Sequence, residues 1–420
     1  MSRIALTGAA PAVSRPFPSW PRHGQEEREA LLRVLASGRW WMGDGEEVLS
    51  LEREFAEYHK TRHAVAVTNG THSLEMILTG LGVGYGDEVI IPDYTFIATA
   101  TAVLFVNAIP IPVDIEPDTF CLDPDRVEAA ITPDTRAIIH VYVAGNTGRI
   151  DRLRAVAARH HVPLIEDAAH GHGTSWDGIP AGNHGRAGSF SFQASKTMTA
   201  GEGGMIVTND DSLAENLEPL RNCGRVKGKP FYVHEALGSN YRMTEFQGAL
   251  LRVQLRRLRD DVPRRHENAV YLDRLLSQIP GIRPQHKDPR LTMQGHYIYA
   301  FLYDPDAFQG LTREGFIEAI EAEGLVCQES YPAVHSTPLF ARHQFGPRFG
   351  GGSRALYSRL PDYAEMPFPV AARVAGQAVW FPHRVLLSDR QAMEEIAEAV
   401  SRIQRHASEA LTRSRTTVNG

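Results

Sequence analysis

The chain has 420 residues, 43% hydrophobic and 22% charged, with a net charge of −6. This is an ordinary globular composition on a chain too long for one core, so a larger and a smaller domain are expected. The acidic balance argues against a nucleic-acid or anionic-membrane partner, no apolar run nears the roughly 20 residues of a membrane span, and three scattered cysteines (Cys121, Cys223, Cys327) exclude a disulfide framework and make a reducing cytoplasm the default.

The chain opens with residues 1–24, which lack the apolar stretch of a signal peptide and carry Pro11, Pro16, Pro18 and Pro21; an extended arm is expected. Ala30, Leu31, Val34 and Leu35 recur at helical spacing between Gln25 and Ser37, and Val48, Leu51, Phe55 and Tyr58 mark a second helix over 46–58. The texture then changes. Apolar strands at 64–69, 88–92, 109–115, 136–143 and 163–168 alternate with helices at 72–81, 95–105, 124–131 and 150–160. Such alternation predicts an α/β fold with a mostly parallel sheet covered on both faces. From Thr244 a long helix follows, capped by Thr244 and Gln247 and kinked or divided at Pro263. Beyond it a strand (296–303) and helices (312–324, 389–403) describe a smaller α+β region. FGPRFGGGS (345–353) reads as a flexible loop and residues 412–420 as a disordered tail. The expected division is an arm at 1–24, a large domain at 25–260, a small domain at 261–410 and a tail at 411–420.

Three segments carry chemistry. In TNGTHSLE (68–75) a strand ends, Gly70 follows and a helix starts near Thr71, so free amides and the helix dipole could cradle a phosphate, although Asn-Gly-Thr is also ordinary turn and cap chemistry. In LIEDAAHGHG (164–173) Glu166 and Asp167 end an apolar strand, where ligands of α/β sheets bind; a carboxylate there can pair with a protonated pyridine nitrogen, or merely cap the next turn. His170 and His172 lack further ligands at metal spacing, so no metal site is expected. In SFSFQASKTMTAGEGGMIV (189–207) Lys196 follows a strand amid mostly uncharged neighbours and beside Gly201, Gly203 and Gly204. A desolvated lysine has a depressed pKa and makes a good Schiff-base nucleophile.

A cradle, a strand-end Asp and a Gly-flanked Lys in this order resemble the DegT/DnrJ/StrS family of pyridoxal-phosphate (PLP) sugar aminotransferases, of fold type I. VTNGTHSLE, IPDYTFIATA, EDAAHGHG, FSFQASKTMTAGEGG and GSNYRMTEFQGA follow the family's order from about Trp20 to Ile403. The resemblance implies that 25–260 is a PLP-binding domain with Lys196 holding the cofactor as a Schiff base, Asp167 on its ring nitrogen, and Gly70, Thr71 and Ser191 on its phosphate. It also implies Phe96 stacked on the ring and His170 bonded to the phenolic oxygen. Asn240 would reach the phosphate in a neighbouring subunit, making a homodimer with shared sites. QASKTMTAGEGG and GRWWMGDGEEVLSLEREFAEYH look most like glutamine:scyllo-inosose aminotransferases and 3-amino-5-hydroxybenzoate synthases, so Trp40 and Trp41 either line a substrate pocket or pack near the dimer interface.

The implied reaction is amination of a keto-sugar or keto-cyclitol by L-glutamine or L-glutamate in antibiotic biosynthesis. The alternative within the branch is a synthase that dehydrates and aromatises an aminoshikimate. A non-catalytic regulator on this fold would not need Lys196 and Asp167, and a dehydratase branch with histidine at the lysine position is excluded by Lys196.

Overall fold

The computed structural model describes residues 3–417. Seven strands form the large sheet, in the order His63–Val67, Gly204–Thr208, Ala187–Ser191, Leu164–Asp167, Thr135–Val141, Glu88–Pro92, Ile109–Val113. Only Gly204–Thr208 runs against the others. Side chains alternate across a strand. Ile90 and Ile138 accordingly pack with Leu153 and Val156 on one side, while Val89, Ile91 and Ile139 pack with Ile77, Leu78 and Val103 on the other. The sheet is thus buried on both faces, which is why its strands are apolar throughout.

A four-stranded antiparallel sheet follows, in the order Ile282–Pro284, Ile298–Tyr303, Ala378–Pro382, Gln328–Glu329. One face packs on the helices Arg313–Ala322 and Arg390–Arg405 through Phe301, Phe316, Ile320, Ile396 and Val400. The other carries Ala300 and Trp380 against Tyr94 and Val141 of the large sheet's edge. The helix Glu245–Leu276 links the two regions, starting from a capping box of Thr244 and Gln247. Among the described residues, no helix is long and apolar enough to cross a membrane.

Four expectations need correction. The N-terminal segment is not a free arm: Ile4, Leu6 and Val13 are buried in the core of the smaller sheet, and the Glu323 carboxylate accepts the amides of Ala5 (2.9 Å) and Ala12 (2.8 Å). The long helix is not divided at Pro263; Val262, Arg265, Ala269 and Leu272 on its buried face hold it together where the proline withholds a donor. The glycine-rich 345–353 segment is anchored, because Phe349 is only 2% exposed and packs with Phe345 and Tyr357 on the large-sheet core, where Phe345 in turn meets Tyr363. Residues 412–417, expected as tail, belong to the helix Ala407–Thr417, and 418–420 lie outside the described residues.

Candidate active site

The strand ends bring the three sequence segments together. Gly204 pairs with both Val67 and Ser191, and Asp167 pairs with Ser189, so the turns after three strands and the loop carrying Lys196 share one edge of the sheet. A cleft of about 550 Å³ opens there, lined by Gly70, Thr71, Phe96, Asp167, His170, Ser191 and Lys196 among others. This is the crevice at the carboxyl ends of strands where open α/β sheets bind ligands.

One end of the cleft is an anion cradle. The helix Gly70–Gly80 begins at Asn69, whose side chain accepts the amide of His72 (2.8 Å), while its carbonyl accepts that of Ser73 (3.1 Å). The amides of Gly70 and Thr71 have no acceptor among the described residues, as the first N–H groups of a helix lack intrahelical partners. The approach here is close: a Cβ on Gly70 would lie 2.9 Å from the Ser191 Cβ, and one on Gly204 would lie 2.4 Å from the Asn69 carbonyl oxygen.

The two neighbouring carboxylates have different environments because they face opposite sides of their strand. Glu166 is fully committed: it accepts from Tyr142 Oη (2.5 Å) and from the amides of Gly182 (2.6 Å), His184 (2.7 Å) and Gly185 (2.6 Å). Among the described residues, Asp167 accepts only from Thr99 Oγ1 (2.8 Å) and the Ala169 amide (3.2 Å). Burial pushes its pKa up, against the pull of those two donors and Lys196. It has acceptor capacity left for a ring N–H or other cationic donor in the cleft.

Lys196 lies in a loop stapled at its base, where Phe192 N bonds Gly203 O (2.8 Å) and Ala200 N bonds Phe192 O (3.2 Å). Its Nζ stands 4.0 Å from the centre of the Tyr297 ring. Burial lowers its pKa to about 8, with Asp167 pulling the other way. A larger share of it is therefore the free, nucleophilic amine near neutrality than for a solvated lysine.

Phe96 is 55% exposed, so it is no core residue; its ring forms cleft wall 5.8 Å from that of Tyr331. His170 lines the cleft, but both of its nitrogens have protein partners. Nδ1 accepts from the Ala144 amide (3.4 Å), and Nε2 meets Tyr331 Oη (3.1 Å). The expected direct bond from His170 to a phenolic oxygen therefore has no unengaged nitrogen to make it. Asn240 is exposed and does not line the cleft of its own chain. Trp40 and Trp41 do not line it either; they pack on Phe246 (5.7 Å) and Phe231 (6.2 Å).

The sequence motifs missed the opposite wall. Tyr297, Tyr331 and Arg348 come from the C-terminal third of the chain, and no local pattern marks them. Arg348 holds its guanidinium 4.2 Å from the Phe105 ring. Nearby Glu75, a buried member of the cradle helix, has its carboxyl pushed up to about 7 by burial, with Arg348 opposing.

Comparison with known proteins places the chain. Residues 21–349 match the DegT/DnrJ/EryC1/StrS aminotransferase family. An L-glutamine:2-deoxy-scyllo-inosose aminotransferase of Streptoalloteichus tenebrarius is 40% identical over 97% of this chain and 98% of its own. A 3-amino-5-hydroxybenzoate synthase of Amycolatopsis mediterranei is 38% identical over 92% of this chain and 96% of its own. The crystal structure of a 3-amino-5-hydroxybenzoic acid synthase superposes with a TM-score of 0.83 at 37% identity, covering 96% of this chain and all of that one.

Proposed function

The chain belongs to the DegT/DnrJ/EryC1/StrS aminotransferase family, and from that membership we propose that it aminates a ketone on a cyclitol, with L-glutamine as donor and PLP as cofactor, in aminocyclitol antibiotic biosynthesis. The observation that carries this reading is the full-length match to the scyllo-inosose aminotransferase together with Lys196 and Asp167 at one edge of the cleft.

The residues present fit PLP. The unpartnered amides of Gly70 and Thr71, with the Ser191 hydroxyl beside them, suit its phosphate. Asp167 suits its ring nitrogen, and Phe96 supplies an aromatic face. When bound, the cofactor supplies an aldehyde for the donor's nitrogen and a ring that takes up the electron pair released at the donor's α-carbon. Asp167 would hold the ring nitrogen in its protonated state, which that uptake requires. Lys196 would hold the cofactor through its amine and, once that amine is free, would take the proton from the donor's α-carbon as general base and give it back as general acid. Tyr297, Tyr331 and Phe96 would flank the bound donor with aromatic rings.

The test is to load the holoenzyme with L-glutamine, remove the donor, and add keto-cyclitols, free ketosugars and nucleotide-linked ketosugars separately. Return of the original cofactor absorbance with the keto-cyclitols is expected; return with nucleotide-linked ketosugars alone overturns the reading. The match to 3-amino-5-hydroxybenzoate synthases favours, as second reading, dehydration and aromatisation of an aminoshikimate. It would show as a new aromatic absorbance without any amino donor.

The proposed enzyme is a cytoplasmic homodimer. Asn240 lies outside its own cleft beside a surface loop exposing Phe231, Tyr232 and Leu237, which supports a partner's Asn240 completing each phosphate site. Mixing Lys196→Ala with Asn240→Ala chains under subunit exchange then yields dimers with one intact site, and activity returns in part. Exchange without any gain over Asn240→Ala alone excludes shared sites.

A further inference from the structure

Tyr331 belongs to no sequence motif, yet its position is strongly determined. The segment after it is tied to the end of the strand Glu88–Pro92: Val334 N donates to Asp93 O (2.7 Å), His335 N to Asp93 Oδ1 (2.9 Å), and His335 Nδ1 meets Asp93 Oδ2 (2.6 Å). The Trp380 ring packs edge-on against the Tyr331 ring at 4.7 Å. The phenol is thus braced from both sheets at once, with its hydroxyl in the cleft.

The hydrogen-bond directions follow from one fact. Ala144 N–H can only donate, so the Nδ1 of His170 that it reaches at 3.4 Å must be the nitrogen with the lone pair. Burial keeps this imidazole neutral. Its single hydrogen is therefore on Nε2, and it is donated to Tyr331 Oη at 3.1 Å. The Tyr331 oxygen acts as acceptor, and its own hydrogen has no acceptor among the described residues. Burial raises the Tyr331 pKa well above the ordinary phenol value, so the hydrogen stays on. Tyr94, Tyr297, His170 and Asp167 face it, with Lys196 also lining the cleft; no hydrogen bond joins Tyr331 to any of them but His170.

We propose that Tyr331 is the terminal donor of an Ala144–His170–Tyr331 chain and gives its hydroxyl hydrogen to an anionic oxygen of the molecule in the cleft. This rests on reading the cleft as the cofactor and amino-acid site. Two occupants bring such an oxygen, the cofactor's phenolate and the donor's α-carboxylate. His170 is then a positioning residue: it aims the phenol rather than touching the ligand.

The experiment uses the holoenzyme and its Tyr331→Phe, His170→Leu and His170→Gln variants, with two readouts. One is the pH titration of the absorbance of the cofactor bound at Lys196; the other is the KM for L-glutamine set against that for the ketone. A hydrogen bond to the phenolate competes with the proton on the neighbouring Schiff-base nitrogen. If the phenolate is the acceptor, Tyr331→Phe therefore raises the titration midpoint by about one unit or more. If the α-carboxylate is the acceptor, the midpoint stays and the glutamine KM rises about tenfold while the ketone KM does not. In either case His170→Leu moves the same readout the same way, and His170→Gln, which restores an N–H, moves it less. Should Tyr331→Phe fail to fold, the two His170 variants decide alone. If neither readout moves in the variants that fold, the proposal is wrong. Borohydride fixation of the cofactor to Lys196 in those same variants separates that failure from a failure of the site reading itself.

Discussion

The two walls of the cleft are built differently. The wall with Gly70, Thr71, Asp167, Ser191 and Lys196 consists of turns that leave strands of the large sheet, each fixed within a few residues of a ladder. The facing wall of Tyr297, Tyr331 and Arg348 hangs on contacts spanning hundreds of residues, such as His335 with Asp93 and Phe349 with the large-sheet core. One wall is polar and rigid at the backbone, where protons and charge must be placed. The other is largely aromatic and shapes the space. Damage to the first should fall on the rate of the chemical steps, and damage to the second on binding.

That contrast can be broken at its strongest point by Lys196→Ala. Turnover should fall by on the order of 10⁴-fold, the upper end for a lost acid–base group, while the protein still folds. Borohydride followed by peptide mapping should find the cofactor on Lys196 in the parent; a label on another lysine would end the assignment.

Asp167→Asn should cost roughly 10²–10³-fold in turnover, as when a preorganised charge is removed, without preventing attachment at Lys196. The same variant sharpens a pH effect. In the apoenzyme, capture of PLP should accelerate as pH rises through about 8, because the free amine is the reactive form and burial lowers its pKa to that value. Asp167 is what holds that value up, so its loss should move the midpoint lower. A midpoint near that of an ordinary lysine would mean Lys196 is solvated.

Tyr297→Phe probes the second wall and should have the smallest effect. It removes the 2.8 Å hydrogen bond to Ser195 but keeps the ring beside Lys196. An uncharged hydrogen bond contributes about 1 kcal/mol, so KM should rise less than tenfold with kcat within about twofold. A larger loss in kcat than in KM would dissolve the distinction between the walls.

The α/β architecture was legible because strand and helix periods are local, and so was much of the first wall. Residues that leave strands of one sheet at their carboxyl ends share an edge, so the motifs around Gly70, Asp167 and Lys196 had to converge once the strands were recognised. Which of Glu166 and Asp167 faces the cleft came from the family resemblance and not from the residue pattern, since it depends on the parity of a strand within its register; in the structure Tyr142 and three backbone amides saturate Glu166. The surroundings of His170 were not legible for a similar reason, as its partners Ala144 and Tyr331 lie 26 and 161 residues away.

By itself, then, the sequence determined the layer architecture, the edge of the sheet that carries the site, and the lysine and carboxylate motifs placed there. Tertiary structure alone decided the rest. It folded the N-terminal segment into the smaller core, carried the helix through Pro263, pinned the glycine-rich 345–353 loop by Phe349 and brought Tyr297, Tyr331 and Arg348 across the cleft. Local pattern records what a residue needs from its immediate neighbours; these placements depend on apolar burial and hydrogen bonds between distant segments, which leave no periodicity behind.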